Sequence, residues 1–137
     1  MCKGMDLSGV GLWSSQLRYG NPAEAAEAAA ELDELGFRAL WIPPDVGGPV
    51  LDSVDNLLSA TKQTVIATGI LNLWMHEPSE VAARYATLTE THGERFLLGI
   101  GGVSHAPLID SKEPGLYRKP LAATKAFSRR HRRLAAT

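Results

Sequence analysis

The stretch AAELDELGFRALWIPP, residues 29–44, contains a helix end, a turn and a strand in close succession. Its first part is rich in Ala, Glu and Leu, which favour helix, and Gly36 is typical of a helix C-terminal cap. Residues 37–42 form an apolar run that predicts a buried strand, which Pro43 and Pro44 end. Upstream, Asn21 and Pro22 are typical of a helix start, so we expect this helix to begin there.

The same alternation of strand and helix recurs along the chain. Buried strands are predicted at residues 10–13, 64–74 and 96–100, and helices around residues 51–58, 78–92 and 121–127. Gly69 interrupts the third strand, and an interior glycine is typical of a bulge or a close backbone approach. This alternation predicts parallel, right-handed βαβ units and therefore an α/β fold. The pattern alone leaves two closures open, a doubly wound sheet and part of a (βα)8 barrel.

Composition argues against several classes of protein. The 137 residues carry a formal net charge of −1, so we expect neither nucleic acid nor a membrane as a partner. The single Cys excludes an intrachain disulfide framework and favours a cytoplasmic location. No secretory signal or membrane-spanning stretch is expected, because the longest mostly apolar run, residues 65–75, is too short.

The end of the sequence differs in charge from the rest. The segment KAFSRRHRRLAAT, residues 125–137, contains five Lys and Arg and no acidic residue. A basic run of this kind is either a patch for anionic surfaces or a solvated chain end. The acidic body that precedes it favours a solvated, frayed end.

Polar residues follow the predicted strands at the carboxyl end of the sheet, where α/β proteins bind their ligands. Asp45 follows the second strand, Asn72 and His76 lie toward and after the end of the third, and Ser104 and His105 follow the fourth. Such loops offer glycine backbone, aromatic surfaces and hydrogen-bonding side chains to a planar ligand. They form the candidate site, and His105 is its most suggestive titratable residue.

Each of these residues also has a structural explanation. Asp45 precedes Gly47 and Gly48, a pattern equally typical of a turn, and a loop histidine often serves as a structural hydrogen-bonding group. The three tryptophans, at positions 13, 41 and 74, are more typical of a core than of a cofactor site.

Other chemistries lack their motifs. The glycines at positions 99, 101 and 102 follow a strand, but their spacing does not fit G-x-G-x-x-G. The sequence has no G-x-S-x-G elbow, no Walker-type phosphate loop and no metal-ligand spacing. Hydrolase and metalloenzyme functions therefore have little support, and no metal is expected.

Several segments together resemble the luciferase-like monooxygenase superfamily, especially its branch that uses the deazaflavin coenzyme F420. They are the stretch at 29–44 quoted above, ATGILNLW at 67–74, EPSEVAARYATLTETHGERF at 77–96 and LLGIGGVSHAP at 97–107. With GVGLW at 9–13, the resemblance extends over most of residues 9–120. It implies a TIM-like (βα)8 barrel whose flavin or deazaflavin lies over the carboxyl ends of the strands.

The resemblance also implies which residues contact the cofactor. In this family the third strand carries a bulge with a cis peptide behind the cofactor ring, and Gly69 and Ile70 match that position. His105 is the candidate to supply or accept a proton during hydride transfer. The cofactor-binding positions implied are Asp45, Gly69, Ile70, Asn72, Val103 and Ser104.

The resemblance covers half of the family's fold. Barrels of eight βα units need about 250 residues, whereas four strands are predicted here, so we expect residues 1–124 to form an amino-terminal half-barrel. The family's fourth helix would continue where residues 125–137 stand. We therefore expect that tail to be frayed, or altered by truncation or a shifted reading frame near Lys125.

Three functions are compatible with these observations. The first is hydride transfer between coenzyme F420 and a small organic substrate, by an oxidoreductase or a fragment of one. The second is an FMN-dependent monooxygenase on the same scaffold. The third is a non-catalytic half-barrel or interaction module, in which a homodimer would cover the open sheet edges.

Overall fold

The strands and helices alternate as the sequence pattern predicts. The computed structural model describes residues 5–43, 49–102 and 119–136. The strands are β1 (Gly11–Trp13), β2 (Ala39–Ile42), β3 (Val65–Thr68), β4 (Leu71–Asn72), β5 (Phe96–Leu97) and β6 (Ile100–Gly101). The helices are α1 (Gln16–Tyr19), α2 (Pro22–Glu34), α3 (Val50–Ala60), α4 (Pro78–His92) and α5 (Pro120–Ala135).

Helix α2 begins and ends where its capping residues predict. The Asn21 side chain accepts hydrogen bonds from the backbone N–H groups of Ala23 (2.9 Å) and Glu24 (3.2 Å), which would otherwise lack partners at the helix start. Gly36, with φ of +92°, turns the chain just after the helix. The chain then enters β2 directly, because the residues after the turn are apolar and belong to the sheet.

The main sheet is parallel and follows chain order, β1-β2-β3-β5. Leu12, Leu40, Ile66 and Phe96 lie side by side in the register. Because residues in register share a face of the sheet, these apolar side chains lie together, where helices α2, α3 and α4 cover them. In a doubly wound sheet the strand order reverses at one point. The order here does not reverse, so it favours part of a barrel.

The third and fourth predicted strands are each divided in two. A break at Gly69 and Ile70 separates β3 from β4, and one at Leu98 and Gly99 separates β5 from β6. Strands β4 and β6 then pair with each other in parallel, Leu71 beside Ile100. The interior glycine therefore marks a change of direction in the strand, as its position predicted.

Arg95 and Asp33 join the loops at the amino ends of the strands. The Asp33 carboxylate accepts hydrogen bonds from the backbone N–H groups of Lys62 (2.7 Å) and Thr64 (3.0 Å). The Arg95 guanidinium donates to the carbonyl oxygens of Leu58 (3.1 Å), Thr61 (3.1 Å) and Thr64 (3.0 Å), and to the Thr61 hydroxyl (2.9 Å). These contacts hold the turn between α3 and β3.

The carboxyl-terminal helix α5 is longer than expected. The pattern predicted a helix over residues 121–127 and a frayed end beyond it, whereas the helix continues to Ala135. Phe127 is 4% exposed, and the His131 ring, one turn later, contacts the edge of Tyr85 on α4 with centroids 5.5 Å apart. Phe127 and His131, at i and i+4, lie on the face of α5 that packs against α4, and this packing stabilises the helix over residues 125–135. The domain boundary at residue 124 and the altered reading frame stay predictions.

Among the described residues, no helix is long and apolar enough to cross a membrane.

Candidate active site

The bulge after β3 is the centre of the candidate site. The Gly69–Ile70 peptide bond is cis, as the resemblance implied. The Gly69 N–H donates to the Ile42 carbonyl (2.8 Å), and the Leu71 N–H donates to the Gly99 carbonyl (2.7 Å). The chain therefore leaves the main sheet at Gly69 and pairs with the fourth strand beyond it, at the carboxyl end of the sheet.

Thr68 and Gly99 hold the two halves of this bulge together. The Thr68 hydroxyl donates to the Gly99 carbonyl oxygen (2.9 Å) and accepts from the Gly99 N–H (2.9 Å). A Cβ on Gly99 would collide with the Thr68 carbonyl, so glycine is required at this position for the close approach. Thr68 was not among the predicted site residues, although a threonine immediately before the interior glycine of a strand was a signal for it.

Asn72 places a side-chain amide in this region, and the Nδ2 of that amide is unpaired among the described residues. The side chain is 0% exposed, and its Oδ1 accepts a hydrogen bond from the Trp74 N–H (3.0 Å). Its Nδ2 has no hydrogen-bond partner among the described residues. A buried donor left unpaired costs about 1–3 kcal/mol, and native proteins usually satisfy such groups. Asn72 Nδ2 is therefore a buried donor whose partner is not among the described residues.

Two closely packed glycines, Gly101 and Gly102, lie beside Asn72. A Cβ on Gly101 would collide with the Ile70 side chain. At Gly102, φ is +152°, and a Cβ would lie 2.6 Å from Trp74 Cδ1 and 3.0 Å from Asn72 Oδ1. Gly101 and Gly102 therefore let β6 approach Ile70, Asn72 and Trp74 more closely than any other residue would allow.

The inner face of the sheet carries aromatic surface. Trp13 and Trp41 lie next to each other in register, on the face opposite Leu12 and Leu40. Trp13 is 58% exposed, so its expected place in the core was wrong. Trp41 Cε3 would lie 3.5 Å from a Cβ on Gly69, so this indole borders the bulge. An aromatic surface at this edge is suited to stacking against a planar ligand.

Three of the predicted cofactor-binding residues, Gly69, Ile70 and Asn72, come together around this bulge. The other predicted site residues, Asp45, Val103, Ser104 and His105, lie outside the described residues. Contact of any of these residues with a cofactor, and proton transfer by His105, stay predictions.

The groups whose pKa is shifted lie away from this bulge. Among the described residues, no group of three or more His, Cys, Asp or Glu is arranged to hold a metal ion. Burial lowers the pKa of Arg95 and of His131, and hydrogen bonds from Ser8 lower the pKa of Asp6, but these groups lie elsewhere in the fold. The described part of the bulge is therefore lined by neutral groups, the Asn72 amide and the glycine backbone.

Solved structures share this fold. An F420-dependent tetrahydromethanopterin reductase from Methanopyrus kandleri superimposes with a TM-score of 0.68 and 21% identity, over 87% of this chain and 38% of that one. An F420-dependent secondary alcohol dehydrogenase, solved with an F420-acetone adduct, gives 0.63 and 20% identity, over 87% and 40%. The chain thus spans about two fifths of the length of these structures.

A third structure was solved with a different cofactor. It is the oxygenating constituent of 3,6-diketocamphane monooxygenase from Pseudomonas putida, a type II Baeyer-Villiger monooxygenase in complex with FMN. It gives a TM-score of 0.69 and 17% identity, over 87% of this chain and 37% of that one. No curated protein matches the sequence.

These neighbours are TIM-barrel enzymes, so the four parallel strands and their helices form part of a (βα)8 barrel. The luciferase-like monooxygenase family model matches residues 5–136, nearly the whole sequence. This chain belongs to the luciferase-like monooxygenase family.

Proposed function

We propose that this chain provides the ring-binding half of a coenzyme F420 site, in an oxidoreductase that acts on a small organic substrate. The observation that carries the proposal is the buried Asn72 amide, whose Nδ2 lacks a partner among the described residues, at the Gly69–Ile70 bulge. A planar ring with polar edges suits such a site, because it needs a few fixed hydrogen-bond donors.

The residues of the chain would bind and orient the cofactor. The Gly69–Ile70 bulge would support one face of the ring, and Asn72 would donate a hydrogen bond to its edge. We assign Asp45, Val103 and Ser104 further contacts to the cofactor, and His105 the supply or removal of a proton at the substrate. When bound, F420 supplies hydride transfer to or from the substrate.

Coenzyme F420 is proposed first because the segments at 67–74 and 97–107 resemble that branch, and two of the three structures above carry F420 in their names. FMN is the second candidate, because the Pseudomonas putida monooxygenase, in complex with FMN, shares the fold at a TM-score of 0.69. In the third candidate the chain has no catalysis and acts as a half-barrel module. We propose a cytoplasmic location for the enzyme, in keeping with its single cysteine.

A fluorescence titration of the purified chain with F420, with FMN in parallel, tests the proposal. The matched variants are Asn72→Asp, which keeps the Oδ1 acceptor for Trp74 but replaces the Nδ2 donor, and Asn56→Asp. Asn56, on α3, donates to the carbonyl of Pro22 at the start of α2 (3.0 Å), away from the bulge. We expect saturable F420 binding that Asn72→Asp weakens about tenfold and that Asn56→Asp leaves unchanged.

Far-UV circular dichroism of the same samples establishes that each variant is folded. Tighter binding of FMN than of F420 would replace the first candidate with the second. Absence of binding to both cofactors by a folded chain would leave the non-catalytic module. Equal affinity of Asn72→Asp and the unmodified chain would remove Asn72 from the site.

A further inference from the structure

The outermost long helices of the structure carry opposite charge. On α2, four exposed glutamates recur at i, i+3, i+7 and i+10, and this acidic face consists of Glu24, Glu27, Glu31 and Glu34. On α5, four exposed basic residues recur at i, i+4, i+7 and i+8, and this basic face consists of Lys125, Arg129, Arg132 and Arg133. Each spacing places its four charges on one side of a helix.

Neither face is neutralised within the described part of the chain. The ion pairs there are Arg38 with Asp6, Arg84 with Asp52 and His92 with Asp55, none of which involves either face. Like charges one turn apart on a helix repel one another. An oppositely charged neighbour would therefore relieve repulsion on both helices.

The two faces belong to opposite ends of the same sheet. Helix α2 packs beside α3, and α5 packs beside α4, so these helices lie toward the β1 edge and the β5 edge respectively. Among the described residues, β1 pairs only with β2, and β5 pairs only with β3. Each edge therefore has unpaired backbone groups that can accept another strand.

The β5 edge also has an apolar cleft. Its volume is about 380 Å³, and its lining includes Leu97 of β5, Leu98 directly after it and Arg132 of the basic face. The opposite end of the sheet presents Trp13, 58% exposed, on the inner face of β1. Apolar surface next to a charged rim is typical of a protein interface.

A two-fold axis would bring these features together. Four parallel strands from each of two copies supply the eight of a closed barrel. In that arrangement β1 of each copy meets β5 of the other, and the α5 helix of one copy lies next to α2 of its partner. The basic face of each copy then meets the acidic face of the other, so the contact is made twice. Each Trp13 enters the barrel interior.

We propose that two copies of this chain associate through these surfaces, basic face of α5 against acidic face of α2, to close an eight-stranded barrel. The occupant is a second copy because its charge pattern complements both terminal helices at once. This association does not depend on which cofactor the chain binds.

Sedimentation velocity over a range of concentrations tests the proposal with two charge-reversal variants. Arg129→Glu/Arg132→Glu/Arg133→Glu makes the basic face of α5 acidic, and Glu27→Arg/Glu31→Arg/Glu34→Arg makes the acidic face of α2 basic. Each variant alone places like charges at both contacts, so we expect its self-association to be about tenfold weaker. An equimolar mixture restores opposite charges at both contacts, so we expect it to recover the dimer. Glu90→Arg, an exposed reversal on α4, is the matched control and should dimerise normally.

The unmodified chain should form a dimer that added salt weakens. A folded chain that is monomeric at every concentration would overturn the proposal, as would a dimer whose variants do not recover on mixing. If a reversal variant does not fold, Arg129→Gln/Arg132→Gln gives the same test without introducing like charges. Unchanged association of that variant would also overturn the proposal.

Discussion

Thr68 and Gly99 are joined by two hydrogen bonds, each 2.9 Å, in which one hydroxyl serves as both donor and acceptor. The bonds connect the last residue of β3 to the glycine between β5 and β6. Because the Leu71 N–H also donates to the Gly99 carbonyl, the bulge is held on both sides of Gly69. The position of Asn72 relative to β6 therefore depends on this pair.

Replacing Thr68 with Val should destabilise the protein. The variant keeps the shape of the side chain but leaves the part-buried Gly99 N–H without its partner, which we expect to cost about 2 kcal/mol in the free energy of unfolding. Urea unfolding measures the change. Thr87→Val is the control, because the Thr87 hydroxyl bonds the Ala83 carbonyl on the exposed side of α4, and it should cost less than about 0.5 kcal/mol. Equal losses in the two variants would contradict the role given to Thr68.

Replacing Gly102 with Ala should displace Trp74. The new Cβ would lie 2.6 Å from Trp74 Cδ1, so the indole must move, and φ of +152° adds backbone strain. We expect a loss of about 2–3 kcal/mol and a changed Trp emission spectrum. Gly36→Ala is the matched control: φ there is +92°, but nothing lies within 4 Å of the added Cβ. That variant should lose about 1 kcal/mol with unchanged emission. An unchanged spectrum of Gly102→Ala would show that the indole does not contact this glycine.

Replacing Arg95 with Met should cost about 3 kcal/mol in the free energy of unfolding, because several carbonyl oxygens of the turn before β3 lose a charged donor. The control is Arg84→Met, which removes an exposed ion pair with Asp52 (2.8 Å) and should cost less than about 1 kcal/mol. Thermal unfolding ranks the two. A smaller effect at Arg95 than at Arg84 would refute the structural role of Arg95.

His131 should make stability depend on pH. Burial against α4 lowers its pKa below the ordinary 6.5, and its Nε2 has no hydrogen-bond partner among the described residues. The unfolded chain therefore takes up the proton at higher pH than the folded chain. The stability from neutral His131 is complete above pH 6.5 and is lost as the pH falls toward the lowered pKa.

The expected result is a steeper loss of stability for the unmodified chain than for His131→Phe between about pH 7.5 and about pH 5. Phe keeps the ring contact with Tyr85 but does not titrate. Urea unfolding of both proteins at the two pH values gives the comparison. Parallel losses would show that His131 titrates alike in the folded and unfolded chains.

Much of the fold followed from local sequence. Asn21, Pro22 and Gly36 predicted both ends of α2, and the apolar runs at residues 39–42 and 65–68 predicted buried parallel strands. These signals depend on a few neighbouring residues, because caps and hydrophobic runs act over one or two turns of chain. The parallel α/β class then follows from the order of the elements, whereas the half-barrel was implied by the family resemblance.

The site was predicted only in part. Gly69 was expected at a bulge because a strand interior rarely contains glycine, whereas the cofactor contacts of Ile70 and Asn72 were implied by the family resemblance. The Thr68 bonds to Gly99 were not expected, because they join residues 31 positions apart. The predictions for Asp45, Val103, Ser104 and His105 lie outside the described residues.

By itself, the sequence determined where most of the helices and strands form and that the strands run parallel, because these depend on neighbouring residues and their spacing. Tertiary structure alone decided that Trp13 is exposed, that residues 125–135 continue a helix against Tyr85, and that Asn72 Nδ2 is buried without a partner among the described residues. The physical reason is that burial and hydrogen bonding depend on which distant residues lie opposite in space.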